Sequence, residues 1–166
     1  MNGIPVRALI EAGLVEVVDE QFRVSQAGLS LSNASAAKPL KRSTAEQRIT
    51  ELVDRAKAIN ADDRYAYYVE RVVLFGSMLD PATEKPSDID IAVALSERPG
   101  VDPRNVIKRA YAEGRSFSTF LDKLAWPEEE VLRTLKNRSR AISLHSFDQL
   151  KQLGIEGRTL YEREQQ

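Results

Sequence analysis

The stretches RVVLFGS at residues 71–77 and DIDIAV at residues 88–93 decide the fold of this chain. Residues 72–75 are apolar without alternation, which is typical of a strand covered on both faces. The second stretch alternates, so Asp88 and Asp90 point to one face of a strand while the isoleucines point to the other, into a core. Two such strands with helical patterns before and after them predict an α+β fold.

Gly76 and Ser77 end the first of these strands with a glycine that lets the backbone turn and approach a ligand closely. Ser77 would place a hydroxyl and an N–H at the start of the next turn, where free amides favour an anionic phosphate. Pro81 and Pro86 prevent that turn from extending into a long helix. We therefore expect a phosphate-binding turn at Gly76 and Ser77.

Asp88 and Asp90 would lie side by side on one strand face, which costs electrostatic free energy unless a cation lies between the carboxylates. A hard divalent ion with oxygen ligands, Mg²⁺ or Mn²⁺, suits such a pair. The alternative is an ordinary pair of strands with solvent-facing aspartates. The combined spacing favours a metal-binding pair.

The strand, the Gly-Ser pair, about ten residues and an Asp-x-Asp on a second strand resemble the signature of the DNA polymerase β-like nucleotidyltransferase superfamily. Its small bacterial members are the most similar, with a small mixed sheet flanked by helices. The resemblance implies that Gly76 and Ser77 hold a nucleoside triphosphate such as ATP, and that Asp88 and Asp90 hold catalytic metal ions. It further implies that an acceptor hydroxyl, on a protein, RNA or small molecule, attacks the α-phosphorus and releases pyrophosphate.

A third carboxylate is missing from this pattern. In the superfamily it usually comes from a strand after the Asp-x-Asp strand. Residues 140–145 predict that strand here, but its alternate face offers Ala141, Ser143 and His145. His145 is either a metal ligand, a proton acceptor or a structural histidine. Asp148 and Glu156 are further candidates for the third acid, although neither lies on the expected strand.

The composition selects no partner class by charge. Lys and Arg number 24 against 25 Asp and Glu, so no overall field favours nucleic acid or an anionic membrane. The absence of cysteine excludes disulfides, zinc–thiolate sites and cysteine nucleophiles. There is no signal-peptide pattern and no apolar run near the roughly 18 residues of a membrane span. We expect a cytoplasmic protein without a membrane partner.

Residues 1–42 predict a partial winged helix-turn-helix-like segment and a linker. A short helix at residues 5–12 precedes a hairpin formed by residues 14–18 and 21–25. DNA binding would use the side chains of Asn2, Arg7, Gln21 and Arg23, but these are accompanied by Glu11, Glu16, Asp19 and Glu20, which repel phosphates. A packing or dimerisation module is the favoured interpretation of this segment.

The linker composition of residues 32–42 places the domain boundary near residue 42. Its basic residues, Lys38, Lys41 and Arg42, are candidates for contact with a phosphate backbone, but a solvated linker face is the favoured interpretation. Ser43 and Glu46 fit a capping box at the start of a long helix. The second domain, residues 43–166, then contains both motifs.

The C-terminal part predicts four helices, one strand and a polar tail. In chain order these are a helix at residues 102–113, a helix ending at Trp126, a helix opened by Pro127, the strand at residues 140–145, a short helix to Leu153, and a tail from Arg158 to Gln166.

We therefore predict a metal-dependent nucleotidyltransferase domain at residues 43–166. The alternatives are a DNA-binding regulator or an antitoxin-type interaction protein whose nucleotidyltransferase fold is weakly active or inactive.

Overall fold

The fold is given by a computed structural model that describes residues 6–18, 21–25, 28 and 39–164. The chain divides into two compact units, Met1–Ala36 and Ala37–Gln166. Within the described residues, none of the helices combines the length and the apolar character needed to cross a bilayer.

The smaller unit contains a short helix and a hairpin, as the sequence predicts. Helix α1 is Val6–Glu11, and strands β1, Val15–Val18, and β2, Gln21–Val24, pair antiparallel with Val17 opposite Phe22. Gly13 follows the helix with a φ of 68°, a conformation that glycine adopts readily at a helix end.

The larger unit is built on a mixed four-stranded sheet. Its strands are β3 (Tyr67–Phe75), β4 (Ile89–Glu97), β5 (Ile142–Ser146) and β6 (Arg158–Glu162), and their order is β5-β4-β3-β6. β3 is antiparallel to β4 and β6, whereas β4 and β5 are parallel. Sheet and helices together confirm the predicted mixed α+β class.

Within residues 39–164, four α-helices accompany this sheet: α2 (Arg42–Ala61), α3 (Pro103–Ala112), α4 (Phe120–Lys136) and α5 (Phe147–Gln152). Helices α2 and α4 share the main core with one face of the sheet, where Ile89, Ile91 and Val93 point as their alternation predicts. On the other face, Leu150 of α5 packs against Val73 and Ala92. The central strands are therefore covered on both sides.

The break predicted between Trp126 and Pro127 is wrong, because α4 runs through both residues as one helix. It begins at Thr119 and Asp122, which form a reciprocal capping box. An internal proline removes one helical hydrogen bond and crowds the preceding turn. Trp126, Pro127, Val131 and Leu135 are buried, and this packing outweighs the cost of the internal proline.

The polar tail predicted from Arg158 onward is also wrong over its first half. Residues 158–162 form β6, in which Tyr161 lies opposite Val72 and Glu162 opposite Arg71. Beyond the strand, the guanidinium of Arg163 lies 3.0 Å from Glu70. An edge strand keeps its outward side chains polar, so its composition does not distinguish it from a solvated tail.

Candidate functional site

The register of β3 and β4 brings the Gly-Ser turn beside one of the aspartates. Phe75, the last residue of β3, lies opposite Asp90, so Gly76 follows directly at the Asp90 side chain. A Cβ added to Gly76 would lie 2.7 Å from Oδ2 of Asp90, and Gly76 has a φ of 74°. Only glycine combines this backbone conformation with this space.

Ser77 lies in a single 3₁₀ turn, Gly76–Leu79, and is exposed. The next residue, Met78, is buried in the main core and anchors the turn. The turn ends at Asp80, so it stays as short as the prolines of this segment predict. The hydroxyl of Ser77 is thus accessible to a ligand at the end of β3.

Asp88 lies just before β4 and is only 6% exposed. The hydroxyl of Ser87 donates a hydrogen bond of 2.9 Å to its Oδ1. Burial raises the pKa of the Asp88 carboxyl above its usual value, and the charge of Asp90 adds to this, while the Ser87 bond and His145 act in the opposite direction. A cation beside these carboxylates would stabilise the ionised form.

His145 lies on the same sheet face as Asp90, because the parallel register pairs Asp90 with Ser143 and Ala92 with His145. Its Nε2 is 3.6 Å from Oδ1 of Asp90, beyond the usual hydrogen-bond distance. Both atoms are buried and have no hydrogen-bond partner in the described part of the chain. The ring of Phe75 meets the imidazole edge-on, with 5.2 Å between centroids.

These residues do not form a complete metal centre by themselves. Over the described ranges, no group of three or more His, Asp or Glu side chains is placed to hold a metal ion. Asp148 and Glu156, the other candidates for a third acid, are exposed. Mg²⁺ in nucleotide sites is commonly held by one or two carboxylates together with waters and substrate phosphates. The carboxylates of Asp88 and Asp90 fit that mode, and Oδ1 of Asp90 has no hydrogen-bond partner among the described residues.

A cleft of about 300 Å³ opens beside His145, beyond the end of β5. Leu132 and Leu144 form apolar parts of its wall, and Glu128 forms a charged part. Tyr67 also lines it, and burial followed by the charges of Glu97 and Glu128 raises the pKa of the Tyr67 hydroxyl. The cleft has a size suited to a small ligand, and His145 is the candidate site residue in its wall.

Arg42 is a site-supporting residue that sequence reasoning missed. Its guanidinium donates hydrogen bonds to the carbonyls of Met78 (3.3 Å), Asp80 (2.8 Å) and Thr83 (3.0 Å). Its backbone N–H donates to Glu84 at 3.0 Å. Arg42 therefore holds the loop between Ser77 and Asp88 against the start of α2.

Two predictions about this segment are consequently wrong. Arg42 is not a solvated linker cation, whereas Lys41 is exposed as predicted and Lys38 lies outside the described residues. The capping box of Ser43 and Glu46 does not form, since α2 begins at Arg42 without a side-chain cap. Glu46 instead accepts a hydrogen bond from Arg42 at 3.1 Å. Because the carbonyls that Arg42 binds lie far along the chain, no local pattern reveals its role.

The basic side chains proposed for DNA contact in the smaller unit lie beside acids. Arg7 is 3.6 Å from Glu11, and Arg23 lies opposite Glu16 across the hairpin. Gln21 is exposed, whereas Asn2 lies outside the described residues. The charges of these pairs largely cancel, which weakens attraction to phosphates.

Comparison of the chain with models of protein families, with curated proteins and with solved structures gives no significant match. What indicates a function is therefore the geometry of the site and the resemblance of its motifs.

Proposed function

We propose that the larger unit is a metal-dependent nucleotidyltransferase of the DNA polymerase β-like kind, which moves a nucleoside monophosphate from a triphosphate such as ATP onto a hydroxyl. The observation that carries this proposal is the close approach of Gly76 to Asp90, where a Cβ would lie 2.7 Å from Oδ2. This contact supports one site in which a phosphate-binding turn and metal-binding carboxylates act on the same substrate.

In this reaction the triphosphate lies against the 3₁₀ turn. Gly76 presents backbone without a side chain, and Ser77 offers a hydroxyl to the phosphate oxygens. The oxygen of the acceptor hydroxyl bonds to the α-phosphorus as its proton passes to solvent water, and the bond from that phosphorus to pyrophosphate breaks. The turn contributes by positioning the phosphates for this displacement.

Asp88 and Asp90 hold the metal in this proposal. A divalent ion held there would supply positive charge beside the phosphates and would favour the ionised acceptor hydroxyl. Asp90 is oriented between Gly76 and His145, and Asp88 is buried with its carboxylate bonded to Ser87. Since burial raises the pKa of Asp88, a proton competes with the metal there at acidic pH.

The proposal is tested by incubating the purified chain with each α-³²P-labelled nucleoside triphosphate, Mg²⁺ or Mn²⁺, and a cell lysate. We expect label in an acceptor with the wild type and none with the double variant Asp88→Asn, Asp90→Asn. The double variant Asp54→Asn, Asp63→Asn changes two exposed aspartates and serves as the matched control. Absence of transfer from all four triphosphates, or equal transfer by the Asp88/Asp90 variant, refutes the proposal.

A second candidate function, protein binding by the smaller unit, has one observation in its favour. Val17 and Phe22 form a cross-strand pair in the hairpin and are 56% and 67% exposed, and Val24 is 50% exposed. Exposed apolar groups of this kind suit a protein partner better than DNA. If Phe22→Asp abolishes a concentration-dependent increase in mass by light scattering, the candidate stands. A constant mass together with a salt-sensitive gel shift would favour DNA instead.

A further inference from the structure

We propose that His145 is a metal ligand that acts with Asp90 and gives the site a preference for transition ions of the Co²⁺ and Zn²⁺ type over Mg²⁺. The inference deepens the proposed function, since it concerns the metal of the same site. Metal binding itself can be measured without any reaction.

The positions of the two donor atoms follow from the strand pairing. The parallel ladder between β4 and β5 places Ser143 opposite Asp90 and His145 opposite Ala92. The imidazole is therefore on the same face as Asp90, displaced by two residues along the neighbouring strand. The Phe75 ring, from β3, packs against the imidazole in a T-shaped arrangement. Residues of three strands, β3, β4 and β5, thus determine the relative positions of Nε2 of His145 and Oδ1 of Asp90.

The separation of these atoms favours one coordination geometry. Zn²⁺ binds imidazole nitrogen and carboxylate oxygen at about 2.0–2.2 Å, so donors 3.6 Å apart would subtend an angle of roughly 110–130° at the ion, which is closer to the tetrahedral value than to a right angle. Neighbouring ligands of an octahedral Mg²⁺ lie only about 3 Å apart, because its bonds are about 2.1 Å and meet at right angles. The observed distance therefore suits the tetrahedral ion better.

The chemistry of the donors favours the same class of ion. Imidazole nitrogen is a good ligand for Zn²⁺ and its neighbours in the first transition row, whereas Mg²⁺ prefers oxygen throughout. Nε2 of His145 and Oδ1 of Asp90 are both buried without hydrogen-bond partners in the described residues. Because unsatisfied buried polar atoms are costly, an ion that binds both would be stabilising.

The rest of the coordination shell comes from outside this pair. Over the described ranges no third His, Asp or Glu, Asp88 included, is placed to complete a group with them, so Asp90 is the carboxylate that the ion shares with His145. Waters or phosphate oxygens of a nucleotide would fill the remaining positions, as in other nucleotide sites. We therefore expect modest affinity for the free ion and tighter binding when a triphosphate is present.

The test uses the full chain and nuclear magnetic resonance of its single histidine, whose imidazole protons are assigned without ambiguity. Co²⁺ should shift or broaden the His145 imidazole signals at substoichiometric concentration, and Zn²⁺ should shift them. Mg²⁺ at tenfold higher concentration, bound by the aspartates alone, should shift them less than Zn²⁺ does. Imidazole signals that do not respond to Co²⁺ and Zn²⁺ would overturn the proposal, and this measurement needs no variant.

Calorimetry on variants separates this proposal from the function that it deepens. We expect His145→Ala to weaken Co²⁺ binding at least tenfold, and His145→Asp to bind Mg²⁺ more tightly relative to Co²⁺ than the wild type does. Ser143→Ala, on the same face, should bind like the wild type. If His145→Ala binds Co²⁺ normally while Asp88→Asn with Asp90→Asn does not, the His145 proposal fails and the aspartate site stands. If the double aspartate variant binds every ion normally, both fail.

Discussion

Gly76 and Asp90 are in such close contact that a Cβ on the glycine would lie 2.7 Å from Oδ2 of the aspartate. Gly114 has a similar positive φ, 85° against 74° for Gly76, but a Cβ there would meet nothing within 4 Å. The two glycines therefore separate the cost of a left-handed backbone from the cost of displacing Asp90.

The first prediction compares alanine at these two positions. Gly114→Ala should lower the free energy of unfolding by about 1–2 kcal/mol, the usual cost of the left-handed region, and should leave metal binding unchanged. Gly76→Ala should lose more stability, because its Cβ also displaces the Asp90 carboxylate, and it should weaken Co²⁺ binding at least tenfold. Urea denaturation and calorimetry measure both effects. Equal losses for the two variants would show that the contact with Asp90 is unimportant.

The second prediction concerns pH and Asp88. In an unfolded chain an aspartate titrates near 3.9, whereas burial raises the pKa of Asp88 in the folded chain. Between these two values the folded state binds more protons than the unfolded state, so stability contributed by this group falls as pH rises through that window. Asp88→Asn removes the buried charge and should unfold at higher urea concentration than the wild type at pH 7.

The gain from Asp88→Asn should disappear below about pH 4, where the wild-type carboxyl is protonated in both states. Asp54→Asn, an exposed position on α2, is the control and should change stability little at either pH. If Asp88→Asn is less stable than the wild type at pH 7, the fold requires the ionised carboxylate. That result would contradict the prediction that burial disfavours the ionised form.

The sequence could predict the elements around the site because their signals are local. The alternation from Asp88 to Val93 specified β4 and its core face, and Gly76 marked the end of β3. The pairing between strands that brings the site residues together is not a local property of the sequence. The position of His145 beside Asp90 depends on a parallel pairing whose two strands are separated by α3 and α4, and periodicity within one strand does not specify its neighbour.

The third prediction concerns the hydrogen bonds that Arg42 donates to the loop after Ser77. Arg42→Ala should lower the free energy of unfolding by about 2–3 kcal/mol, because it removes charge-assisted hydrogen bonds to several carbonyls of the loop after Ser77. Arg42→Lys should recover little, since an ammonium group cannot reproduce the planar fork of the guanidinium. Denaturation in urea gives the free energies, and hydrogen exchange at residues 78–84 reports the loop.

The control for Arg42 is Arg48, which lies on the same helix and forms an exposed ion pair of 3.4 Å with Glu51. Arg48→Ala should cost under about 1 kcal/mol, as expected of a surface pair, and should not alter exchange in the loop. If both variants behave alike, Arg42 is an ordinary surface cation and its hydrogen bonds to the loop do not contribute to stability.

The fourth prediction concerns Asn60, whose side chain completes the hydrogen bonding of β3 where its register with β4 is irregular. Its Nδ2 donates to the carbonyl of Val69 and its Oδ1 accepts from the Val69 N–H, both at 2.8 Å. Asn60→Ala leaves both buried backbone groups without a partner and should cost about 2–4 kcal/mol. Tyr161→Phe removes one further bond to Asn60, of 2.9 Å, and should cost about 1 kcal/mol.

Asn60→Asp separates the two halves of this contact. A carboxylate can accept from the Val69 N–H but cannot donate to its carbonyl, so the variant should fall between Tyr161→Phe and Asn60→Ala in urea denaturation at pH 7. At low pH the protonated carboxyl regains a donor, and its deficit relative to the wild type should shrink. A deficit for Asn60→Ala no larger than that of Tyr161→Phe would show that the Val69 groups find other partners, and that the irregularity of β3 does not depend on Asn60.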